Sequence, residues 1–281
     1  MIAINNVSKS FGHVQAVKNV NVEFLPGKIY GLLGRNGAGK STLLNLITNR
    51  LFVDAGEITV DGLPVLENDA ALGKIYLMGD KNYYADSMKL KNALYWASKF
   101  YPNFDMENAN FLAKEFGLDL NKKVKQLSTG MGSMFRLTVA LSSGAPYVFL
   151  DEPVLGLDAV HRDLFYKLLI EQFSRQSSCY IISTHLIEEV AGVMEDVVII
   201  KDGEILLQQP TEELLSAGCT LTGPATLVDE FTRGKEIIGQ DSLGGMKSVY
   251  LMGQIERSAL PQGIEVSSLN LQQLFVQLTK D

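Results

Sequence analysis

The sequence predicts an α/β protein, on three observations. A strand-type apolar run, Ile29-Tyr30-Gly31-Leu32-Leu33, leads into Gly34-Arg35-Asn36-Gly37-Ala38-Gly39-Lys40-Ser41, and then into a helical spacing of Leu43, Leu44, Leu46 and Ile47. A second run, Tyr147-Val148-Phe149-Leu150, ends in Asp151-Glu152. A third, Cys179 to Ile182, ends in Ser183-Thr184-His185. Short buried strands separated by helical segments, with reactive side chains at the strand ends, belong to the α/β class.

The first run carries the most chemistry. G-x-x-x-x-G-K-[ST] between a strand and a helix is a phosphate loop, with Thr42 following. Its glycines let backbone N–H groups turn inward around an anion, which a Cβ would obstruct. Lys40 can reach the β- and γ-phosphates of a nucleotide, and the Ser41 hydroxyl can ligate Mg²⁺. The helix that follows points its positive end at the same anion.

The second run narrows the choice among phosphate-loop proteins. At the end of its strand Asp151 can hold Mg²⁺ through water. Strand alternation predicts that Glu152 points the other way, where it can polarise an attacking water. Upstream, Leu127-Ser128-Thr129-Gly130-Met131 opens an amphipathic segment expected from Gly132 to Ser143; downstream comes Gly156-Leu157-Asp158.

These segments, in this order, resemble the nucleotide-binding subunit of an ABC transporter over residues 1 to about 213. By that resemblance Gly34 to Thr42 are the Walker A motif, Val148 to Asp151 the Walker B strand, and Glu152 the catalytic carboxylate. Leu127 to Met131 are similar to the signature, Gly156 to Asp158 to the D-loop, and His185 to the switch histidine. Phe11 sits where the family stacks an aromatic on adenine, and Val17 where an apolar residue packs beside it. The signature departs from L-S-G-G-Q at Thr129 and Met131 but keeps Ser128 and Gly130, the pair expected at the γ-phosphate. Where the family has its Q-loop glutamine, after Ile75-Tyr76-Leu77-Met78, this chain offers Gly79 or, by the better alignment, Asp80, a carboxylate able to serve Mg²⁺ or its water.

The resemblance implies a RecA-like phosphate-loop core with an N-terminal antiparallel β portion and a helical subdomain. It also implies ATP and Mg²⁺ as cofactors, ATP hydrolysis by Lys40, Glu152 and His185, and a metal set of Ser41, Asp151 and Asp80. One phosphate loop and one signature per chain imply a second ATPase chain, so that each site is capped by the other chain's Ser128 and Gly130. The expected setting is the cytoplasmic face of a membrane, beside a separate permease, with export the implied direction. Two other readings stay open: a soluble ABC-type ATPase without a permease, and a non-hydrolysing regulatory subunit, against which Glu152 and His185 argue.

Composition agrees. The 281 residues suffice for one large α/β domain and a small appendix. No apolar run approaches the roughly 20 residues that span a bilayer, so membrane spans are expected from another chain, and the N-terminal pattern from Ile2 reads as a strand without a leader. A net charge of -7 without basic runs disfavours nucleic acid as a partner. Cys179 and Cys219 read as reduced residues in apolar segments. No cysteine or carboxylate cluster accompanies His13 or His161, so neither is expected to bind metal.

The organisation expected is an ATPase domain at 1–213, with Glu57 to Gly62 as one N-terminal strand and a helical subdomain at about 83–133. That subdomain rests on helical periodicity in Leu90 to Tyr101 and Met106 to Phe116. Residues 214–281 form a small α/β extension, with turns at Thr222-Gly223-Pro224 and Leu243-Gly244-Gly245, a strand from Ser248 to Gly253 and a helix from Leu269 to Leu278. It resembles the C-terminal extension of ATPases from small bacterial drug and peptide exporters, and it carries no catalytic pattern.

Overall fold

The computed structural model describes residues 1–79, 81, 83–253, 255 and 260–280. The chain opens on β1 (Ile2–Phe11) and β2 (Val14–Phe24), an antiparallel hairpin. It crosses to β3 (Ile29–Leu33), α1 (Lys40–Ile47), and returns as β4 (Ala55–Val60) and β5 (Leu63–Pro64). The Asp61-Gly62 turn has φ of 50° and 78° at its two central residues, the left-handed pair that a two-residue hairpin requires. These strands form an antiparallel sheet in the order β2-β1-β4-β5.

α2 (Asp69–Leu72) and β6 (Ile75–Met78) lead to a helical region of α3 (Leu90–Phe100), α4 (Met106–Glu115) and α5 (Thr129–Leu141). Then come β7 (Tyr147–Asp151), α6 (Ala159–Arg175), β8 (Cys179–Thr184), the single turn α7 (Ile187–Val190), β9 (Asp196–Lys201) and β10 (Glu204–Pro210). The second sheet runs β10-β9-β3-β8-β7-β6, parallel except for the edge strand β10. Its central strands read as unbroken apolar runs because both faces are covered. The period of two is visible in where neighbours go. Leu32, Phe149, Ile181 and Val198 join α1 and the antiparallel sheet on one face. Leu33, Leu150, Ile182 and Ile199 join the α5 and α6 side on the other.

The helical region is held by specific polar ties as well as apolar packing. Asp105 caps α4 by accepting from the Asn108 N–H at 2.8 Å, and the Asn108 amide donates to the Leu141 carbonyl of α5 at 3.2 Å. α5 begins at Thr129, a turn earlier than the periodicity suggests, because Ser128 caps it by accepting from the Met131 N–H at 3.2 Å.

After α8 (Thr211–Ser216) a third sheet forms from β11 (Gly218–Pro224), β12 (Ile237–Leu243), β13 (Met246–Met252) and β14 (Glu265–Ser268), in the order β12-β13-β11-β14, with α9 (Ala225–Phe231) after β11 and α10 (Leu271–Thr279) closing the chain. Cys219, Leu221, Val249 and Leu251 pack with Val228 of α9 in a small cluster of their own. Tyr250, on the opposite face, joins Leu271, Leu274 and Phe275 of α10 in the large cluster of the second sheet. The extension thus shares a core with the phosphate-loop region. Thr222-Gly223-Pro224 is the end of β11, paired to Ser248, Lys247 and Met246, and not a turn. The glycine is there for space: a Cβ on Gly223 would come within 2.7 Å of the Gly263 carbonyl oxygen. Gly244-Gly245 does form the β12–β13 turn.

Candidate active site

Three neighbouring parallel strands deliver the candidate residues to one edge of the sheet. β3 ends in the phosphate loop, β8 beside it ends before His185, and β7 next to that ends in Asp151. The carboxyl ends of parallel strands are where open α/β sheets bind ligands. The loop has the backbone its sequence calls for. Gly37 and Gly39 sit at φ 83° and 108°, and a Cβ on Gly34 or Gly39 would lie 2.7 Å from the Ile200 carbonyl oxygen or 2.5 Å from that of Ala16. The loop is also pinned from below, since the Gly203 N–H donates to the Ala38 carbonyl at 3.0 Å. Arg35, Asn36 and Gly37 form its exposed rim, while Ser41 and Thr42 open α1.

Lys40 is buried, and its ammonium donates to the Gly34 carbonyl at 2.6 Å. Burial pushes its pKa down, and the carboxylates of Glu152 and Asp151 pull it back up. The same two carboxylates therefore act electrostatically on the phosphate-loop lysine within one chain. The Ser183 hydroxyl donates to Asp151 Oδ1 at 2.8 Å and so orients that carboxylate.

Glu152 corrects one expectation. It lies beyond the end of β7 in the left-handed region, at φ 48°. Its aim is set by this kink and not by strand alternation. The Glu152 N–H donates to the Ser183 carbonyl at 2.8 Å, which holds the kink. For a residue with a long side chain such a conformation is costly and is found where function requires it. Its carboxylate turns to β8: the Thr184 hydroxyl donates to Oε2 at 3.3 Å, and His185 Nδ1 lies 2.9 Å from Oε1 and 3.0 Å from Oε2.

The remaining candidates surround this centre. Ser128, Thr129, Asp151, Glu152 and Gly156 line one cleft of about 550 Å³. Gly130 abuts Gly156, whose carbonyl oxygen a Cβ on Gly130 would approach to 2.8 Å. The signature and D-loop segments are thus in contact in one chain, and Asp158 caps α6 through the His161 N–H at 2.9 Å. Phe11 presents an exposed ring at the end of β1, whereas Val17, on the neighbouring strand β2, is fully buried. Gly79 follows β6 with open space around it, and Asp80 lies outside the described residues. Among the described residues no cluster of three or more His, Cys, Asp or Glu could hold a metal by itself. A hydroxyl (Ser41) and one oriented carboxylate (Asp151) suit Mg²⁺, which takes few protein ligands and completes its shell with phosphate and water.

Comparison with known proteins reaches the phosphate loop, Ser128 to Gly130, Asp151 and Glu152. The family described as ABC transporter matches residues 17–155. The Bacillus subtilis (strain 168) ABC transporter ATP-binding protein NatA is 30% identical over 225 residues, 76% of this chain and 91% of NatA. The chain belongs to the ABC transporter ATP-binding family. The ABC transporter ATP-binding protein YtrB of the same organism is 29% identical, over 76% of this chain and 73% of its own. The lantibiotic transport ATP-binding protein SrtF of Streptococcus pyogenes is 30% identical, over 74% and 90%. Among solved structures, a bacterial ABC transporter cassette in dimeric form superposes with a TM-score of 0.67 at 25% identity, over 75% of this chain and 99% of that one. As an ABC ATPase the chain binds and hydrolyses ATP.

Ser183 and Thr184 lie in the segment before His185, and the sequence pattern assigns them no role. In this ABC ATPase they are the polar links from the end of β8 to Asp151, the last residue of β7, and to Glu152 just beyond it. Their signal was available: two hydroxyl residues, both fully buried, at the end of an apolar strand need partners. The support of the phosphate loop by Ile200 and Gly203 had no such signal.

Proposed function

We propose that this ABC ATPase powers transport through a separate membrane permease, probing ATP with two chains closed as a sandwich. The observation that carries the proposal is the convergence of Lys40, Asp151, Glu152 and His185 on the ends of three adjacent strands. The backbone of residues Gly34 to Thr42 and the Lys40 ammonium hold the β- and γ-phosphates. Ser41 and Asp151 would hold Mg²⁺, which when bound neutralises charge on the phosphate oxygens; Asp80 is the further candidate for that ion. Glu152 orients the attacking water. His185 engages Glu152 through Nδ1, which leaves Nε2 as its contact to the γ-phosphate. Phe11 offers its ring to the base, with Val17 as buried support beneath. Ser128, Gly130 and the N-terminal end of α5 in the second chain close over the γ-phosphate, where a helix's positive end favours an anion. Loss of that phosphate reopens the pair.

The division proposed is an ATPase domain at 1–213, with a helical subdomain at about 83–133, and an accessory domain at 214–281. A cleft of about 740 Å³ near the β6 end supports the permease contact. It is lined by Tyr76, Tyr83, Tyr84, Trp96, Phe100 and Tyr101 among others; Tyr83, Trp96 and Phe100 are exposed, and exposed aromatics mark protein interfaces. Among the described residues no helix is long and apolar enough to cross a membrane, in keeping with a peripheral subunit on the cytoplasmic face. Export is the proposed direction, by likeness to relatives such as the lantibiotic transport ATP-binding protein SrtF, 90% of which this chain covers. The chain spans only 48% of a ribose import ATP-binding protein, RbsA of Corynebacterium glutamicum. The net charge of -7 supports a reading without nucleic acid. Glu152→Gln tests the sandwich: with ATP and Mg²⁺ it should elute as a dimer on size exclusion without turnover. A monomer that still hydrolyses ATP would remove it.

A further inference from the structure

α7 is the segment of the catalytic edge least able to hold its own place. It is one turn long, from Ile187 to Val190; Leu186 before it provides no side-chain cap, and the Leu186 N–H donates to the Thr184 hydroxyl at 3.0 Å. An isolated turn of helix is unstable, so its position is decided by what it packs against. Contacts with α6 and α10 contribute to that. On one side Glu189 pairs with Arg162 of α6. On the other, Ile187 and Val190 are fully buried in the cluster that contains Leu271, Leu274 and Phe275, and α10 packs directly against α7. His185 stands two residues before this turn, and its ring is bonded on the far side to Glu152.

α10 is itself firmly fixed. Asn270 caps it by accepting from the Gln272 N–H at 2.8 Å. Asp241 of β12 accepts from Gln277 at 3.0 Å and from the Tyr250 hydroxyl at 3.0 Å, and Gly239 leaves the space that the Gln277 side chain fills. Beyond its C-terminal end the Lys280 carbonyl accepts from Lys201 at 2.9 Å. Thr279 shares a cavity of about 270 Å³ with Arg35 to Ala38 of the phosphate loop. The last helix of the extension therefore reaches from the turn behind His185 to the rim of the phosphate loop.

We infer that α10 is a positioning element for hydrolysis, with Leu274 and Phe275 setting His185 against Glu152 through α7. The inference rests on the reading of His185 as a catalytic residue. Leu274 and Phe275 touch no substrate; they determine where the imidazole stands when the γ-phosphate arrives. A shift of about 1 Å in a catalytic group can cost on the order of a hundredfold in rate, so a loosened α7 reduces turnover while the phosphate loop still binds ATP.

The test uses the full chain. Leu274→Ala should lower kcat about tenfold or more and leave the KM for ATP within about twofold. Leu274→Met, which conserves volume, should restore native kcat. Val190→Ala, from the α7 side, should reproduce the split more mildly. Independently of turnover, the chain has 3 histidines, so their ring resonances can be assigned by single substitutions. Leu274→Ala should move the His185 resonance while those of His13 and His161 stay in place. Native kcat in Leu274→Ala beside an inactive His185→Ala overturns the inference alone. An unmoved His185 resonance, or equal movement of all three, also overturns it. Native turnover in His185→Ala overturns the reading of the site itself.

Discussion

His185 Nδ1 lies 2.9 Å from Oε1 of Glu152, and neither residue belongs to a strand. Each is the first residue past the end of its neighbouring parallel strand. The pair is thus located by the sheet but aimed by local backbone, through the left-handed Glu152 and its N–H bond to Ser183. Replacing His185 with alanine should lower kcat about 10²- to 10⁴-fold, the range for a positioned acid–base group. ATP affinity, measured by calorimetry, should stay within about twofold, because the phosphate loop is untouched.

Lys40→Ala should act on binding as well. The Lys40 ammonium is buried and offsets the charge of Asp151 and Glu152, so its removal leaves that negative charge uncompensated near the phosphates. Equilibrium binding should weaken at least about a hundredfold and phosphate release should vanish. Native hydrolysis by the purified variant would refute the assignment of the loop.

Ser183→Ala should expose the part played by the hydroxyl on Asp151. Loss of a partner that orients a metal-binding carboxylate costs about 10- to 100-fold in metal affinity or activity. The Mg²⁺ concentration needed for half-maximal ATPase activity should rise accordingly. An unchanged Mg²⁺ titration would mean that Asp151 does not need this support.

Asp61 offers a pH test at the opposite end of the sheet. Burial raises its pKa, but hydrogen bonds from Lys74, the Met1 amine and Tyr147 outweigh this and hold the carboxyl well below its ordinary range. Its stabilising contribution is present above the unfolded-state value of about 3.9 and is lost as pH falls toward the folded-state value. The difference in denaturation midpoint between wild type and Asp61→Asn should therefore be constant near neutrality and shrink below about pH 4. A difference that grew on acidification would contradict the assigned sign.

Removing residues 218–281 should cost stability. Tyr250, Leu269, Leu271, Leu274 and Phe275 lie in the core cluster of the second sheet, so truncation uncovers apolar surface on the ATPase side. A fall in melting temperature of at least about 5 °C is expected, since each large core side chain is worth about 2–5 kcal/mol. Calorimetry of the truncated chain, with and without ATP, measures it.

His185 entered only through the family resemblance, whereas the sequence by itself determined the phosphate-loop pattern, the carboxylates at the end of the β7 run and the α/β class. Each of these is a local pattern: glycines where backbone must approach an anion, apolar runs where a strand is buried on both faces, and hydroxyls that cap or ligate. The helices over Leu90–Phe100 and Met106–Glu115 were legible for the same reason, from their periodicity. Tertiary structure alone decided the aim of Glu152, because φ 48° at a glutamate is imposed by the neighbouring strand's Ser183 carbonyl. It made Thr222-Gly223-Pro224 a strand end, because Gly223 answers to the nearby Gly263 backbone and not to a turn of its own. It also joined α10 to α7. An apolar helix face records in sequence that it will be buried, but not against what; that choice depends on packing between elements some eighty positions apart in the chain, here α7 and α10, which no local pattern encodes.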